Sequence, residues 1–546
     1  MFKNMRRLAG GAFVLALVGA MLACSDEKKS DTVASGVALG DVLPIPAQVH
    51  PDSNADYTLS EDDSIAADPG AELPAGLLAD LLRTPTGFRL PVVPAQGSIA
   101  SGIALTLNKN ADSALGEQGY RMTVGKGITI AANGAAGLFN GVATLRQLFG
   151  HEIETDTREP GPWKVAGGTI VDYPRFAYRG AMLDVSRRFR PKTEVLRYLD
   201  DLARYKMNYL QLHLTDDQGW RLRIDKWPLL TDIGSKYEVG GGPGGYYTKA
   251  DYAEIIAYAA GRGITIIPEI DGPGHTNAAQ SVYPELNCDG KAVPARNDIS
   301  VGYSSFCVHS EATYAFLDDV IAEVAAMTPG PYIHIGGDEA RATTPQDYRT
   351  YVDRVLPIVT KYHKIPIGWH EITKSDKLSA PTIAQYWGTT GDPSGTGDAA
   401  QEAARMIEAA KKGVPVILSP ANRSYLDMKY TPQTKRGLMW AAYIEIDAAY
   451  DWDPGTYLKG VDEKAILGVA APQFSESMTS LTDVRYMAFP RLTATAELGW
   501  SPAATHDWEG FKRRLAEHAR FWETGGIPYY RSPKVDWPAR AVPQFR

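Results

Sequence analysis

From residue 173 onward, short apolar runs alternate with helix-length amphipathic stretches, and this alternation constrains the fold more than any other feature. The runs are 180–185, 209–214, 265–270, 332–335, 366–369, 383–387, 414–418 and 466–470. Their length and their β-branched and aromatic residues suit strands. Helical periodicity marks 192–205, 249–262, 311–327, 346–362 and 397–412, most of the intervals between them, and 482–498 follows the last run. Eight strands alternating with helices predict a closed parallel (β/α)8 barrel, a TIM barrel. An open doubly wound sheet is the competing architecture, but no glycine-rich phosphate turn follows the first run. A further helix is expected over 511–522, packed on the barrel.

The 546 residues leave room for a smaller domain ahead of the barrel. Residues 44–172 behave as one unit, with a strand at 128–130. A helix follows over 134–149, where Leu138, Val142, Leu145 and Leu148 share a face. Mixed strand and helix signals predict a small α/β domain, and no catalytic constellation falls in it. The expected partition is therefore 44–172 for this domain, 173–505 for the catalytic barrel and 506–546 for a C-terminal helix and tail. The net charge is −8 with no basic block, which argues against a nucleic-acid partner. The 11 Trp and 28 Tyr, against 14 Phe, fit a carbohydrate site, because the C–H face of a sugar packs on aromatic rings.

The N-terminus reads as an export signal over 1–24. Lys3, Arg6 and Arg7 precede an uncharged apolar stretch too short for a stable membrane span. The string Met21-Leu22-Ala23-Cys24-Ser25 resembles a bacterial lipoprotein signal in which Cys24 is lipidated, with Met21 where Leu is usual. An ordinary cleaved signal with an incidental cysteine is the alternative. Residues 25–43 form a polar, flexible tether. The expected location is the periplasm or cell surface, with membrane attachment only through the lipid. Cys288 and Cys307 then remain within one polar, turn-rich segment, and in an oxidising compartment a disulfide is the natural assignment. Two free buried thiols are the alternative, and a zinc site would need more ligands than this segment offers.

Nearly every unusual polar cluster lies at the C-terminal end of a strand run, the catalytic face of a barrel. Asp184-Val185-Ser186-Arg187 ends the first run and Thr215-Asp216-Asp217-Gln218-Gly219-Trp220 follows the second. Glu269-Ile270-Asp271-Gly272-Pro273-Gly274-His275 ends the third, and His334-Ile335-Gly336-Gly337-Asp338-Glu339 the fourth. Trp369-His370-Glu371 and Tyr386-Trp387-Gly388 end the fifth and sixth. Asp338-Glu339 is the sharpest signal. Adjacent strand residues face opposite sides, so both carboxylates reach one pocket only where the strand has ended, and Gly336-Gly337 permits the bend. Two close carboxylates raise each other's cost of ionising, so one holds a proton near neutral pH beside an ionised partner, as glycoside cleavage requires.

Taken in order, these strings resemble the family 20 glycoside hydrolases, the β-N-acetylhexosaminidases. The resemblance begins at Arg179-Gly180-Ala181-Met182-Leu183-Asp184. It continues through Tyr425-Leu426-Asp427-Met428-Lys429-Tyr430 and Tyr450-Asp451-Trp452-Asp453-Pro454 to Glu497-Leu498-Gly499-Trp500, covering the whole barrel. It implies an exo-acting retaining enzyme, with chitin fragments among the possible glycans, and with neither cofactor nor metal. Under it, Glu339 is the general acid and then the base. Asp338 holds the acetamido N–H and stabilises an oxazolinium ion, and Tyr425 donates to the attacking acetamido oxygen. The substrate is its own nucleophile, an exception to the two-carboxylate scheme. His275 with Asp216 forms a relay behind Glu339. Arg187 takes the 3- and 4-hydroxyls, Asp427 and Glu476 the 4- and 6-hydroxyls, and Trp369, Trp387 and Trp440 wall the pocket.

One position departs from the family pattern. Phe474 stands where a Trp is usual, keeping a flat apolar face but losing area and the indole N–H. Activity is expected to survive with an altered choice or tightness of sugar. Three other readings compete: a disaccharide-releasing lacto-N-biosidase, a non-catalytic glycan-binding lipoprotein, and a metal-dependent hydrolase built on His213, His275 and His334.

Overall fold

The computed structural model describes residues 37–95 and 101–540, so the proposed signal, Cys24 and the extreme C-terminus lie outside it. Eight parallel strands close into a barrel: β1 (Tyr178–Asp184), β2 (Tyr209–His213), β3 (Thr265–Glu269), β4 (Tyr332–His334), β5 (Ile365–Trp369), β6 (Ile383–Tyr386), β7 (Val416–Leu418) and β8 (Ile466–Gln473). Closure is made by β8 on β1, in a register that runs from Tyr178 opposite Gly468 to Leu183 opposite Gln473. Every residue of β1 is buried, as befits a parallel strand covered on both faces. The stretch after β8 forms two helices, Leu481–Ala488 and Arg491–Trp500, rather than one. Pro490 sits between them, where it can supply no backbone donor to a continuous helix. The last helix spans Trp508–Thr524.

Ahead of the barrel, seven strands form a mixed sheet in the order Gln48–Pro51, Gly168–Asp172, Tyr120–Val124, Ile128–Ala132, Ile103–Leu107, Ile65–Ala67, Val92–Pro94. Burial alternates along Tyr120–Val124, with Tyr120, Met122 and Val124 turned inward. The helices Glu72–Thr86 and Ala135–Leu148 pack their apolar residues into the same core, which also takes in Trp500 from the barrel side.

A buried charge fastens the two parts together. Asp172 ends the sheet's Gly168–Asp172 strand and accepts from Trp500 Nε1 at 2.9 Å, Tyr120 Oη at 2.8 Å and the Ala47 N–H at 3.0 Å. Lys206, buried between the first barrel helix and β2, donates to it at 2.8 Å, with its Nζ over the Trp500 ring. Burial pulls Lys206 below the usual lysine range, against the pull of Asp172. Losing one partner of such a pair strands the other charge in apolar surroundings. Lys206→Ala is therefore expected to destabilise the protein by about 3–5 kcal/mol in denaturant titrations. A loss below about 1 kcal/mol would show that Asp172 is held adequately by its neutral donors.

Candidate active site

The site lies at the C-terminal ends of the strands, and several turns there are fixed by backbone-to-carboxylate contacts. After β1, Asp184 Oδ1 accepts from the Ser186 and Arg187 N–H groups at 2.8 and 3.0 Å, while its Oδ2 accepts from Ser475 N–H at 3.0 Å. That joins the loops after β1 and β8. After β3, Asp271 Oδ1 accepts from Gly272 N–H at 2.7 Å and Gly337 N–H at 3.1 Å, joining the loops after β3 and β4. Gly336 has φ 66°, and a Cβ there would run into Asp271 Oδ1. The strand β4 ends at His334, so the chain bends through the two glycines and presents Asp338 and Glu339 to one cluster. Glu339 and His275 both adopt positive φ, 47° and 57°, a region that costs a residue with a side chain and persists only where the surroundings enforce it.

A chain of alternating charges runs through the cluster. His213, at the end of β2, has Nδ1 2.8 Å from Glu269 Oε2 and Nε2 2.7 Å from Asp216 Oδ2. Arg187 Nη1 lies 2.8 Å from the same Asp216 oxygen. Asp216 Oδ1 lies 3.2 Å from His275 Nδ1. His275 Nε2 then stands between the two adjacent acids, 3.5 Å from Asp338 Oδ2 and 3.6 Å from Glu339 Oε2. Burial opposes the charge on Asp216, yet Arg187 and His275 hold it well below the usual carboxylate range. Burial likewise opposes a cationic His275, but Asp216 and Asp338 raise it well above the ordinary histidine value.

The surroundings drive the two acids in opposite directions. Burial pushes Asp338 up to about 7, assisted by Glu371, Glu339 and Glu269 and opposed by His275. Glu339 lies below its ordinary value: burial is overcome by the hydrogen bond and charge of His275, and by Arg341 and Arg187. The proton of the pair is therefore drawn towards Asp338, which is the more deeply enclosed, while Glu339 meets a guanidinium at 2.7 Å.

The aromatic residues expected around the pocket adjoin one another. Trp387 meets Trp440 at 5.8 Å between centroids, Trp440 meets Tyr425 at 5.7 Å, Tyr425 meets Phe474 at 5.8 Å, and Phe474 meets Trp369 at 6.3 Å. Trp369 is buried at 1% exposure and donates to Glu269 at 2.9 Å, whereas Trp440 is 52% exposed at the rim. Trp387 Nε1 donates to Glu371 at 3.0 Å. The Arg187 guanidinium lies over the Phe474 ring, 5.1 Å from its centroid. Asp338 Oδ1, Asp427 Oδ2 and Glu476 Oε2 are among the buried acceptors that have no hydrogen-bond partner in the described residues, as are Asp217 Oδ2 and Asp271 Oδ2 deeper in the cluster. Burial raises both Asp427 and Glu476, and each carboxylate gains from an incoming donor.

Three residue sets place His and carboxylate atoms close enough to surround an ion: His213–Glu269–Asp271, Asp216–Asp271–His275 and His275–Asp338–Glu339. In each, histidine nitrogens already lie against carboxylates, and Arg187 supplies a cation to Asp216. Cys288 and Cys307 form a disulfide, with Cα atoms 4.8 Å apart, in the segment after β3. Glu269, Asp271 and Glu371 take part in the cluster without a role expected from sequence, and His213, considered there only as a metal ligand, lies between Glu269 and Asp216. Glu269 and Asp271 lie two apart around the end of β3, a spacing that aims both at one face and was there to be read. Arg341, two residues past Glu339, carried no such signal.

A barrel whose loops gather an acid pair, a buried His–Asp chain and an aromatic wall suits a glycoside hydrolase, and the relatives of the chain bear that class out. Residues 176–503 match the family model for "Glycosyl hydrolase family 20, catalytic domain", and 40–173 match that family's "domain 2". A β-N-acetylhexosaminidase of Cellulomonas fimi is 39% identical over 91% of this chain and 97% of its own. The Streptomyces coelicolor A3(2) family 20 β-N-acetylhexosaminidase structure superposes with a TM-score of 0.88 at 50% identity, covering 92% of this chain and 100% of that one. A mutant Streptomyces plicatus β-hexosaminidase in complex with N-acetylglucosamine gives 0.88 at 51%, over 92% and 99%. The chain belongs to glycosyl hydrolase family 20, and it is a β-N-acetylhexosaminidase.

The proton balance of the acid pair has a pH signature. One proton shared across Asp338 and Glu339 is required, and it is lost as pH rises through the upper value of the pair. The kcat/KM profile is expected to fall on its basic side with a midpoint near 7. Asp338→Asn removes the neighbouring negative charge and should move that limb to lower pH; an unmoved limb would assign it to another group.

Proposed function

We propose that this hexosaminidase is exo-acting and retaining, and that the substrate's own acetamido group is its nucleophile. The observation that carries this reading is the orphaned Asp338 Oδ1, a buried acceptor immediately beside Glu339. A carboxylate there accepts from the acetamido N–H, while the buried Tyr425, packed between Trp440 and Phe474, donates its hydroxyl to the acetamido oxygen. So oriented, that oxygen attacks the anomeric carbon as the glycosidic bond breaks, and Glu339 gives its proton to the departing oxygen. Holding nucleophile and electrophile within one bound molecule supplies the high effective concentration of an intramolecular reaction. The cyclic oxazolinium ion carries positive charge beside ionised Asp338. Glu339, now ionised, removes a proton from the water that opens the ring, and two displacements at one carbon restore its configuration.

In the free protein burial draws the pair's proton towards Asp338, and the reaction needs it on Glu339. His275 Nε2 lies at nearly equal distances from both acids, so it can pass the proton without changing the charge of the cluster. Arg187, Asp427 and Glu476 receive the sugar's hydroxyls, and the depth of the two unpartnered carboxylates favours a single terminal N-acetylglucosamine or N-acetylgalactosamine over a disaccharide. The N-acetylglucosamine held by the Streptomyces plicatus relative agrees with that choice. Glu339→Gln should reduce cleavage of substrates with poor leaving groups roughly 100- to 10,000-fold. Wild-type enzyme should cleave N-acetylated aryl glucosaminides at least about 100-fold faster than deacetylated ones. Equal rates on the two substrates would refute the acetamido mechanism.

Export with lipidation of Cys24 also belongs to this proposal, on the strength of the N-terminal sequence and of the disulfide, a bond that persists in oxidising compartments. No helix among the described residues is long and apolar enough to cross a membrane. Labelled fatty acid should enter wild-type protein in the membrane fraction and be lost with Cys24→Ala. Unlabelled wild-type protein would leave only an ordinary export signal.

A further inference from the structure

The ion pair on Glu339 points beyond the sugar enclosed by the pocket. Arg341 Nη2 donates to Glu339 Oε1 at 2.7 Å, and the Arg341 backbone N–H donates to the Glu339 carbonyl at 2.6 Å, so the two residues share one tight turn. The Arg341 side chain is 66% exposed and the Glu339 side chain 23%. The guanidinium is nonetheless placed. Its stem lies against Gly302, which adopts φ 79°, and a Cβ at that glycine would meet it.

Gly302 belongs to the segment closed by Cys288 and Cys307, which is tied to the loops of the site. Ser304 Oγ donates to Asp217 Oδ1 at 2.6 Å, Gln218 Nε2 donates to the Asp298 carbonyl at 2.7 Å, and Ser305 Oγ lies 2.6 Å from Thr343 Oγ1. In the same segment Arg296 is already committed to Asp298 at 2.8 Å. Arg341 thus stands as a braced cation on the solvent side of the acid.

The work of Glu339 decides what that cation faces. The unpartnered acceptors of Asp338, Asp427 and Glu476 take the sugar to be released. Glu339 protonates the oxygen on the far side of the bond, and Arg341 lies outward of Glu339. When Glu339 carries the proton it must donate, the guanidinium loses the carboxylate it now holds. A freed guanidinium fork is matched by another carboxylate, with two parallel hydrogen bonds available. We propose that Arg341 forms a leaving-group subsite that favours glycans whose next sugar bears a carboxylate. That carboxylate takes the place of the Glu339 carboxylate on the guanidinium as the acid becomes neutral.

The proposal rests on Glu339 acting as the general acid, and its test separates the two. Two aryl N-acetylglucosaminides are compared, one with a carboxylate and one with a carboxamide on the phenol. The ratio of their kcat/KM values cancels any general effect of a substitution on Glu339. In wild-type enzyme at low salt the ratio should exceed that of Arg341→Gln by about fivefold, the upper range for an exposed ion pair. It should shrink towards the variant's value as salt screens the charges. Equal ratios in the two proteins, or a wild-type ratio insensitive to salt, would overturn the subsite. Should Arg341→Gln prove too weak to measure, the wild-type salt titration decides alone. If the wild-type enzyme left the neutral carboxamide substrate intact, the hexosaminidase mechanism would fail and the subsite with it.

Discussion

The active site depends on one buried carboxylate, Asp216. It alone contacts Arg187, His213 and His275, at 2.8, 2.7 and 3.2 Å. A carboxylate enclosed to this degree would normally take up a proton to escape the cost of burial. Here the surrounding cations reverse that tendency, and the anion in turn keeps His275 charged. Remove Asp216 and Arg187, His213 and His275 would lose the carboxylate they share, leaving His213 to Glu269 and His275 to Asp338 and Glu339. The binding and proton-handling parts of the pocket are therefore one electrostatic unit, extended inward to Glu269 through His213.

Asp338 and Glu339 show how two neighbours of like chemistry are driven apart. Both are carboxylic acids, both lie near His275, and both follow the same pair of glycines. Asp338 is the more enclosed, so its charge is the more costly, and Glu339 reaches Arg341 and partial solvent. Environment, not residue type, assigns the proton. The turn that makes this possible stores backbone strain at Glu339, and Asp271 holds it closed by accepting from Gly272 and Gly337. The loops after β3 and β4 are tied together because they share a single carboxylate oxygen.

The rest of the chain gives this cluster a rigid platform. Closure of β8 on β1 brings Ser475 to Asp184, which fixes the loop bearing Arg187. The preceding sheet is anchored through Asp172, Lys206 and Trp500 at a distance from the chemistry. Its contribution visible in the contacts is mechanical: it buries a face of the barrel's last helices and leaves the strand ends open to substrate.

The amino-acid sequence alone determined the barrel, because hydrophobic period and strand length are local properties and helix-length stretches separate most of the eight runs. It also determined which residues stand at several strand ends, since Asp216, His275, Asp338 and Glu339 follow apolar runs or turn glycines that mark those ends, while Tyr425 and Asp427 were legible only through the family resemblance. Tertiary structure alone decided how their charges couple. Asp216 and His275 are brought together across 59 positions, Arg187 and Phe474 across far more, and no local signal encodes such a distance. It also decided that burial raises Asp338 while His275 and Arg341 lower Glu339, and that Arg341 is braced by a disulfide-closed segment. Protonation follows burial and the sum of nearby charges, and these exist only once the loops of several strands share one low-dielectric space.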